Sequence, residues 1–343
     1  MAQLMRILTL LSLVSAALAP ASARMPTQSQ GPPFHSLTSE FTRFYDETVA
    51  MPEDQRVKLF ERRFDVLFPG FYEPMDGQTQ EQFDQTVEAA IKGFGEVRPK
   101  YRRAQREFPA VYAAGIVHFH RTFPDFRMTM PVWLVHSLGR MDGGTRNIRG
   151  VNTLIFGADV IAHYHNGRDI GPFLDHEMFH VENSRWFPDC EPDMTVWCAL
   201  WQEGLATYVS GTMNKTHDDA MLMLTTPGPI RPAVDHDWMG ALCLLKDDLA
   251  RSDRPTYAMY FTGGGSKHPY PARFGYYLGY RVMERLGKRY SLAQLDHMDH
   301  ARALAVLMPE IDAMVEEAGG CNSRDRWQLY TLLSRMFWIT SHP

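Results

Sequence analysis

Two histidines and a glutamate, His176, Glu177 and His180, stand in the order H-E-x-x-H. In an α-helix, residues four positions apart lie on the same face, so the two imidazoles would be one turn apart. Two imidazoles at this spacing can bind one Zn²⁺, and the glutamate between them is suited to accept a proton from a water molecule at the metal. Asp169 as a cap and Pro172 in the first turn favour a helix that starts just before the motif.

A zinc site with one open position needs a third protein ligand. Some metallopeptidases supply it in the longer motif H-E-x-x-H-x-x-G-x-x-H. Here Trp186 replaces the last histidine, and an indole cannot bind zinc, so that arrangement is excluded. The helix-forming segment 195–210 offers an alternative, because Glu203 is its only acid and a carboxylate in an apolar helix needs a buried partner. Gly204 and Ala206 beside it would allow close helix packing. Glu203 is therefore the expected third ligand, with a surface ion pair as the alternative.

These motifs resemble those of the gluzincin metallopeptidases, which share H-E-x-x-H and a later Glu-Gly-x-Ala. A further segment, Pro271–Val282, looks like the G-Y-x-x-G-Y-x-[IV] segment of bacterial predicted zinc-dependent proteases, which are gluzincin-like. The resemblance spans roughly residues 105–290 and implies a zincin-like fold around the metal-binding helix. It implies zinc ligands His176, His180 and Glu203, with Glu177 as the general base.

One position departs from the gluzincin pattern. Many gluzincins place an aspartate four residues after the ligand glutamate, where it orients a zinc-binding histidine, but this chain has Thr207 there. The orienting group must then come from elsewhere, and Asp175 and Glu182 are candidates.

A second donor is also expected to stabilise the oxyanion of a hydrolytic reaction. Tyr276 fits the Gly-Tyr motif best, with Tyr280, Tyr277 and His268 as alternatives. A core aromatic residue is the other interpretation of Tyr276.

The N-terminus predicts an exported protein. Arg6 precedes the apolar run 7–19, and Ala21-Ser-Ala23 is a small-residue cleavage site, so residues 1–23 are interpreted as a signal peptide. The apolar run is short for a membrane span, and an uncleaved anchor is the alternative. Residues 24–35 are expected to be a disordered lead. The mature protein is then expected to be periplasmic or secreted, without a stable membrane span.

Composition and cysteine content narrow the possibilities further. The 343-residue chain is 45% hydrophobic and 22% charged, with a formal net charge of −5. No basic stripe is present, which argues against nucleic-acid binding. Four cysteines in an exported chain predict disulfides, for which three pairings exist. Cys190–Cys198 is the first choice, because it would close the loop between the two predicted metal-binding helices.

The periodicity predicts an α+β, mostly α-helical fold in one domain, 36–343. The expected order is a helical part (36–125), a catalytic core (126–290) and C-terminal helices (291–343). Within the core, Met128–His136 and Val151–His165 are predicted strands, Gly139–Gly150 a loop, and Trp238–Leu249 a helix. By the resemblance, a sheet edge would bind extended peptides, with segments 152–158 or 139–150 as candidates and plain core strands as the alternative.

The sequence thus favours an exported zinc metallopeptidase that acts on a peptide or protein substrate. A non-catalytic exported protein that keeps the fold and binds zinc or peptide is the alternative. A zinc hydrolase for non-peptide amides or esters is a third hypothesis. Substrate and oligomeric state are not indicated.

Overall fold

Aromatic residues at helical spacing build the N-terminal part of the protein. In the computed structural model, which describes residues 34–75, 77–165, 169–188, 194–262 and 269–321, Phe41, Phe44, Phe60 and Phe64 are fully buried against one another. Phe94 joins this cluster, with its ring centroid 4.9 Å from that of Phe41. The three helices are α1 (Thr38–Thr48), α2 (Glu53–Leu67) and α3 (Gln80–Phe119).

A four-stranded sheet follows in the order β1-β2-β4-β3. Its strands are β1 (Phe34–Ser36), β2 (Val132–Val135), β3 (Gly143–Ile148) and β4 (Val151–Gly157). The first two strands and β4 are parallel neighbours, whereas β3 is the antiparallel edge strand.

The predicted loop 139–150 was therefore wrong over half of its length, because it contains β3. A two-residue turn at Arg149 and Gly150, both with positive φ (49° and 86°), joins β3 to β4. Such a turn matches the twist of a hairpin. Glycines 143 and 144 had favoured a loop, and backbone pairing with β4 overrides that preference.

The second predicted strand, 151–165, was only half right. Its first part is β4, but Ala158–Tyr164 is a helix, α4. A continuous apolar run does not distinguish a buried strand from a buried helix. The carboxylate of Asp159 accepts hydrogen bonds from the main-chain N–H groups of Ser137 and Gly139, which secures the start of α4 against the loop after β2.

The remaining regular elements of the described chain are helices. The helices are α5 (Gly171–Asn183), α6 (Val196–Asn214), α7 (Ile230–His236), α8 (Trp238–Asp248), α9 (Arg254–Phe261), α10 (Phe274–Leu286), α11 (Leu292–Asp296) and α12 (His300–Glu317). The predicted helices at 195–210 and 238–249 correspond to α6 and α8. The α6 helix packs against both α5 and α10, so it forms the centre of this half of the protein. The predicted mostly α-helical α+β class is confirmed.

Among the described residues, Cys243 of α8 forms a disulfide with Cys321. Cys198 is also disulfide-bonded, while Cys190, the partner suggested by the sequence, lies outside the described residues, as do the predicted signal peptide and most of the predicted disordered lead. None of the helices described is both long and apolar enough to cross a membrane.

Candidate metal centre

The α5 helix carries the H-E-x-x-H motif and begins close to the predicted start. The N-cap residue is Ile170 and not Asp169, although Asp169 still bonds to the first turn. Gly171 donates its main-chain N–H to Asp169 Oδ1 at 2.8 Å, and Pro172 lies in the first turn. The helix is buried on almost all sides, and only His180 among the motif's three polar residues is partly exposed. The motif therefore lies inside the protein, where its polar groups need specific partners.

Three side chains converge at this point. His176 Nε2 lies 3.1 Å from His180 Nε2 and 3.2 Å from Glu203 Oε2, and His180 Nε2 lies 3.4 Å from the same oxygen. The structure thus brings together on α5 and α6 the three residues that the sequence suggested as ligands.

Hydrogen bonds alone do not satisfy this triangle. A neutral imidazole presents either an N–H or a lone pair at Nε2. If the Nε2 atoms of His176 and His180 both carry a proton, two hydrogen-bond donors face each other at 3.1 Å. If one of these nitrogens is unprotonated, its lone pair faces the negatively charged carboxylate of Glu203. A cation in the centre relieves all three contacts. Ligand atoms about 2.0–2.2 Å from a tetrahedral zinc ion are about 3.3–3.6 Å apart, and the observed distances are at or slightly below that range.

The protonation states also suit metal binding. Burial by itself would raise the pKa of Glu203, but the charge of His180 and the hydrogen bond of His176 outweigh it and hold this pKa well below its usual range. Burial lowers the pKa of His176, opposed by Glu203. Glu203 is then ionised and His176 neutral, as metal binding requires, and His180 must lose its proton when a metal binds.

Glu177 lies beside the cluster beneath the edge strand. Its side chain is so close to Gly143 of β3 that a Cβ atom at Gly143 would lie 3.0 Å from the Glu177 carboxyl carbon. Burial raises the pKa of Glu177 to about 7, with the charge of His180 opposing and that of Asp142 reinforcing the change. Glu177 can therefore exchange a proton near neutral pH.

The α10 helix brings Tyr276 to the same place. Its ring is nearly parallel to that of His176 (20°), with centroids 6.2 Å apart. The alternatives point elsewhere, because Tyr277 donates its hydroxyl to Asp235 and the Tyr280 hydroxyl bonds to His217. His268, the remaining alternative, lies outside the described residues.

The orienting groups suggested by the sequence have other partners. Asp175 accepts a hydrogen bond from the side-chain amide of Asn214. The same oxygen, Oδ2, lies 3.1 Å from His118 Nδ1. Glu182 accepts one from Arg185. Thr207 donates its hydroxyl to the main-chain oxygen of Glu203, at 2.8 Å. Within the described part of the chain, the buried Nδ1 of His176 has no hydrogen-bond partner.

Three residues at the site were not singled out from the sequence: Asp142, Gly143 and Arg273. The first two lie in the segment 139–150, which was suggested only as a whole for binding peptides. Gly143 stood in the predicted loop, and Arg273 stood inside the Pro271–Val282 segment that carried the resemblance. No local pattern marks Asp142 or Gly143 as close to Glu177, because this proximity depends on strand pairing across β3 and β4.

Comparison of the chain with known protein families, curated proteins and solved structures finds no match in any of the three.

Proposed function

We propose that the protein is a zinc-dependent hydrolase of peptide bonds, similar in its site to the gluzincin metallopeptidases. The observation that carries the proposal is the convergence of His176, His180 and Glu203 within hydrogen-bonding distance, with Glu177 beside them. Two histidines and one carboxylate form a ligand set typical of catalytic zinc, which leaves the fourth position open.

When bound there, zinc would act as a Lewis acid and lower the pKa of water. Glu177 would accept the proton of the attacking water and pass it to the leaving amine. Burial raises the pKa of Glu177 above that of a free carboxyl group, which favours holding the proton between the two transfers. Tyr276 would donate its hydroxyl to the developing oxyanion, and its high pKa, a result of burial and of the charge of Glu203, keeps it protonated.

The edge strand offers a place for an extended substrate. Gly157 donates its main-chain N–H to the main-chain oxygen of Asp142. From this pair onward, hydrogen-bonded and non-hydrogen-bonded residue pairs alternate along β3 and β4. The main-chain groups of Gly143, Thr145 and Asn147 therefore point away from β4, on the open side of the described sheet. A peptide added as a further strand would pass Glu177 at Gly143. Of the two segments suggested by the sequence, 139–150 fits this role, since β4 is enclosed by β2 and β3.

An exported location is part of the proposal. The predicted signal peptide motivates it, and the Cys243–Cys321 disulfide supports it because disulfides persist in oxidising compartments.

The test is elemental analysis of the purified protein beside Glu203→Ala and Glu177→Gln. We expect about one zinc per molecule in the parent, a large loss in Glu203→Ala, and retention in Glu177→Gln. Glu182→Gln is a matched control, because this buried carboxylate lies on the same helix but bonds to Arg185. Absence of zinc from the reconstituted parent, or equal zinc in the parent and Glu203→Ala, contradicts the proposed centre.

The second candidate function is a non-catalytic protein that binds zinc or peptide. The lack of a partner for His176 Nδ1 favours it, since metal-binding histidines usually donate that N–H to an acceptor. Peptide hydrolysis by the zinc-loaded parent, lost in a Glu177→Gln variant that keeps its zinc, would refute this candidate. Activity on esters or non-peptide amides alone would favour the third hypothesis.

A further inference from the structure

Arg273 lies next to the candidate metal centre and is not needed to build it. Its guanidinium carbon is 4.4 Å from the centroid of the Tyr276 ring, on a side chain that is partly buried. Burial opposes its protonation, but Tyr276, Asp142 and Glu203 outweigh this effect and raise its pKa. A permanent positive charge therefore lies against the Tyr276 ring, whose centroid is 6.2 Å from that of the His176 ring.

The anions that stabilise this charge are engaged elsewhere. Glu203 contacts the two histidines, while Asp142 contacts His165 and accepts the N–H of Gly143. Among the described residues, no carboxylate forms a salt bridge with Arg273. A guanidinium presents a planar fork of N–H donors that matches a carboxylate. Arg273 also forms a hydrogen bond with Tyr276, and the other donors of its fork lie beside the metal centre.

The backbone at Arg273 is held in an unusual conformation. Its φ is 66°, in the left-handed region, directly before α10. The Cβ atom of a non-glycine residue is crowded in this region, and residues held there concentrate at functional sites. This conformation starts the helix so that Arg273 and Tyr276 meet on its first turn.

We propose that Arg273 binds a carboxylate of the substrate next to the scissile bond. The substrates are then peptides in which a residue adjoining that bond carries either the free C-terminal carboxylate or an acidic side chain. This inference rests on the proposed function, because it assumes that the metal centre marks the scissile bond.

The test is calorimetric binding to the zinc-loaded Glu177→Gln variant, in which turnover is suppressed. Three probes distinguish the sources of the carboxylate: N-acetyl-Phe-Leu as the free acid, the same compound as its amide, and N-acetyl-Phe-Glu amide. We expect at least one carboxylate probe to bind on the order of 10- to 100-fold more tightly than the neutral amide, as expected for a charged hydrogen-bonded pair. The tighter of the two carboxylate probes identifies the substrate class.

In the zinc-loaded Glu177→Gln variant, the further substitution Arg273→Gln should remove the preference for the carboxylate probe. Arg273→Lys should retain only part of this preference, since lysine keeps the charge without the planar fork. Arg281→Gln is the matched control, because this arginine lies on the same helix over Trp238 and pairs with Glu284. If Arg273→Gln does not fold, as judged by thermal unfolding, the carboxylate preference of Arg273→Lys serves as the test instead.

Equal binding of acid and amide, a preference that survives in Arg273→Gln, or no binding of either carboxylate probe overturns the inference. Zinc content measured on the same samples separates this result from failure of the metal centre. A carboxylate preference in a zinc-loaded protein that hydrolyses no peptide would refute the peptidase proposal and keep the role of Arg273.

Discussion

Gly204 of α6 and Gly279 of α10 lie in direct backbone contact. A Cβ atom at Gly204 would be 2.5 Å from the Cα and carbonyl carbon of Gly279, and one at Gly279 would be 2.6 Å from the carbonyl oxygen of Leu200. The crossing places Glu203, next to Gly204, near Tyr276, one turn before Gly279. Close packing at Gly204 was expected from the sequence, but its partner is α10 and not the metal-binding helix.

Gly204→Ala should therefore destabilise the protein. The added methyl group meets backbone, which cannot rotate away, and overpacking of this kind costs about 1–3 kcal/mol. Chemical denaturation measures the change in the free energy of unfolding. Gly93→Ala is the control, since this α3 glycine has no atom within 4 Å of an added Cβ and should gain about 0.5–1 kcal/mol from helix propensity. Equal effects of the two substitutions would show that the crossing is not tightly packed in solution.

Gly143→Ala should impair hydrolysis while leaving zinc bound. The new Cβ would lie 2.7 Å from the Phe173 ring and 3.0 Å from the Glu177 side chain, so either Glu177 or β3 must shift. A misplaced general base lowers kcat, with a loss of about 10²-fold for a displacement near 1 Å. Kinetics and zinc analysis on the same preparation check this. Loss of zinc along with activity would instead indicate a wider disruption of α5.

Tyr276→Phe should reduce kcat by about 10²-fold with little change in KM, because an oxyanion donor acts mainly in the transition state. Tyr280→Phe is the control on the same helix, since its hydroxyl bonds to His217, and it should keep kcat. A Tyr276→Phe variant with normal kcat would make Tyr276 a core aromatic residue.

Asp296 predicts a pH-dependent stability. Its side chain is fully buried, and burial raises its pKa to about 7, with Asn183 opposing and Glu182 reinforcing the change. A folded-state pKa above the unfolded value means that the folded state binds the proton more tightly, so this contribution to stability is largest below pH 4 and is lost as the pH rises through about 7. The pH-dependent part amounts to roughly 4 kcal/mol at most.

Asp296→Asn should remove this dependence of stability on pH. The free energy of unfolding of the variant, taken relative to that of the parent, should therefore be higher at pH 8 than at pH 5. Denaturation at the two pH values measures it. Asp299→Asn is not a suitable control, because Asp299 caps α12. Asp312→Asn is better, since it removes an exposed carboxylate paired with Lys246. The same pH slope in Asp296→Asn and the parent would contradict a raised pKa.

Local sequence was sufficient to predict the two helices that carry the histidines and the glutamate, because residue spacing and helix-forming composition are properties of short segments. The H-E-x-x-H spacing predicts two imidazoles on one helical face, and a single acid in an apolar segment predicts Glu203 as a buried group. The same reasoning misjudged residues 139–150 and 158–165, where glycine content and a continuous apolar run leave the backbone conformation undetermined. There the outcome depends on pairing with β4 and on the contacts of Asp159.

Only the tertiary structure decided which groups meet at the centre. The distances between His176, His180 and Glu203, the position of Gly143 over Glu177, and the arrival of Tyr276 and Arg273 depend on how α5, α6, α10 and the sheet pack. Burial then changes the pKa of Glu177, which no local sequence pattern reports, because the shift arises from the exclusion of water by residues distant in the chain.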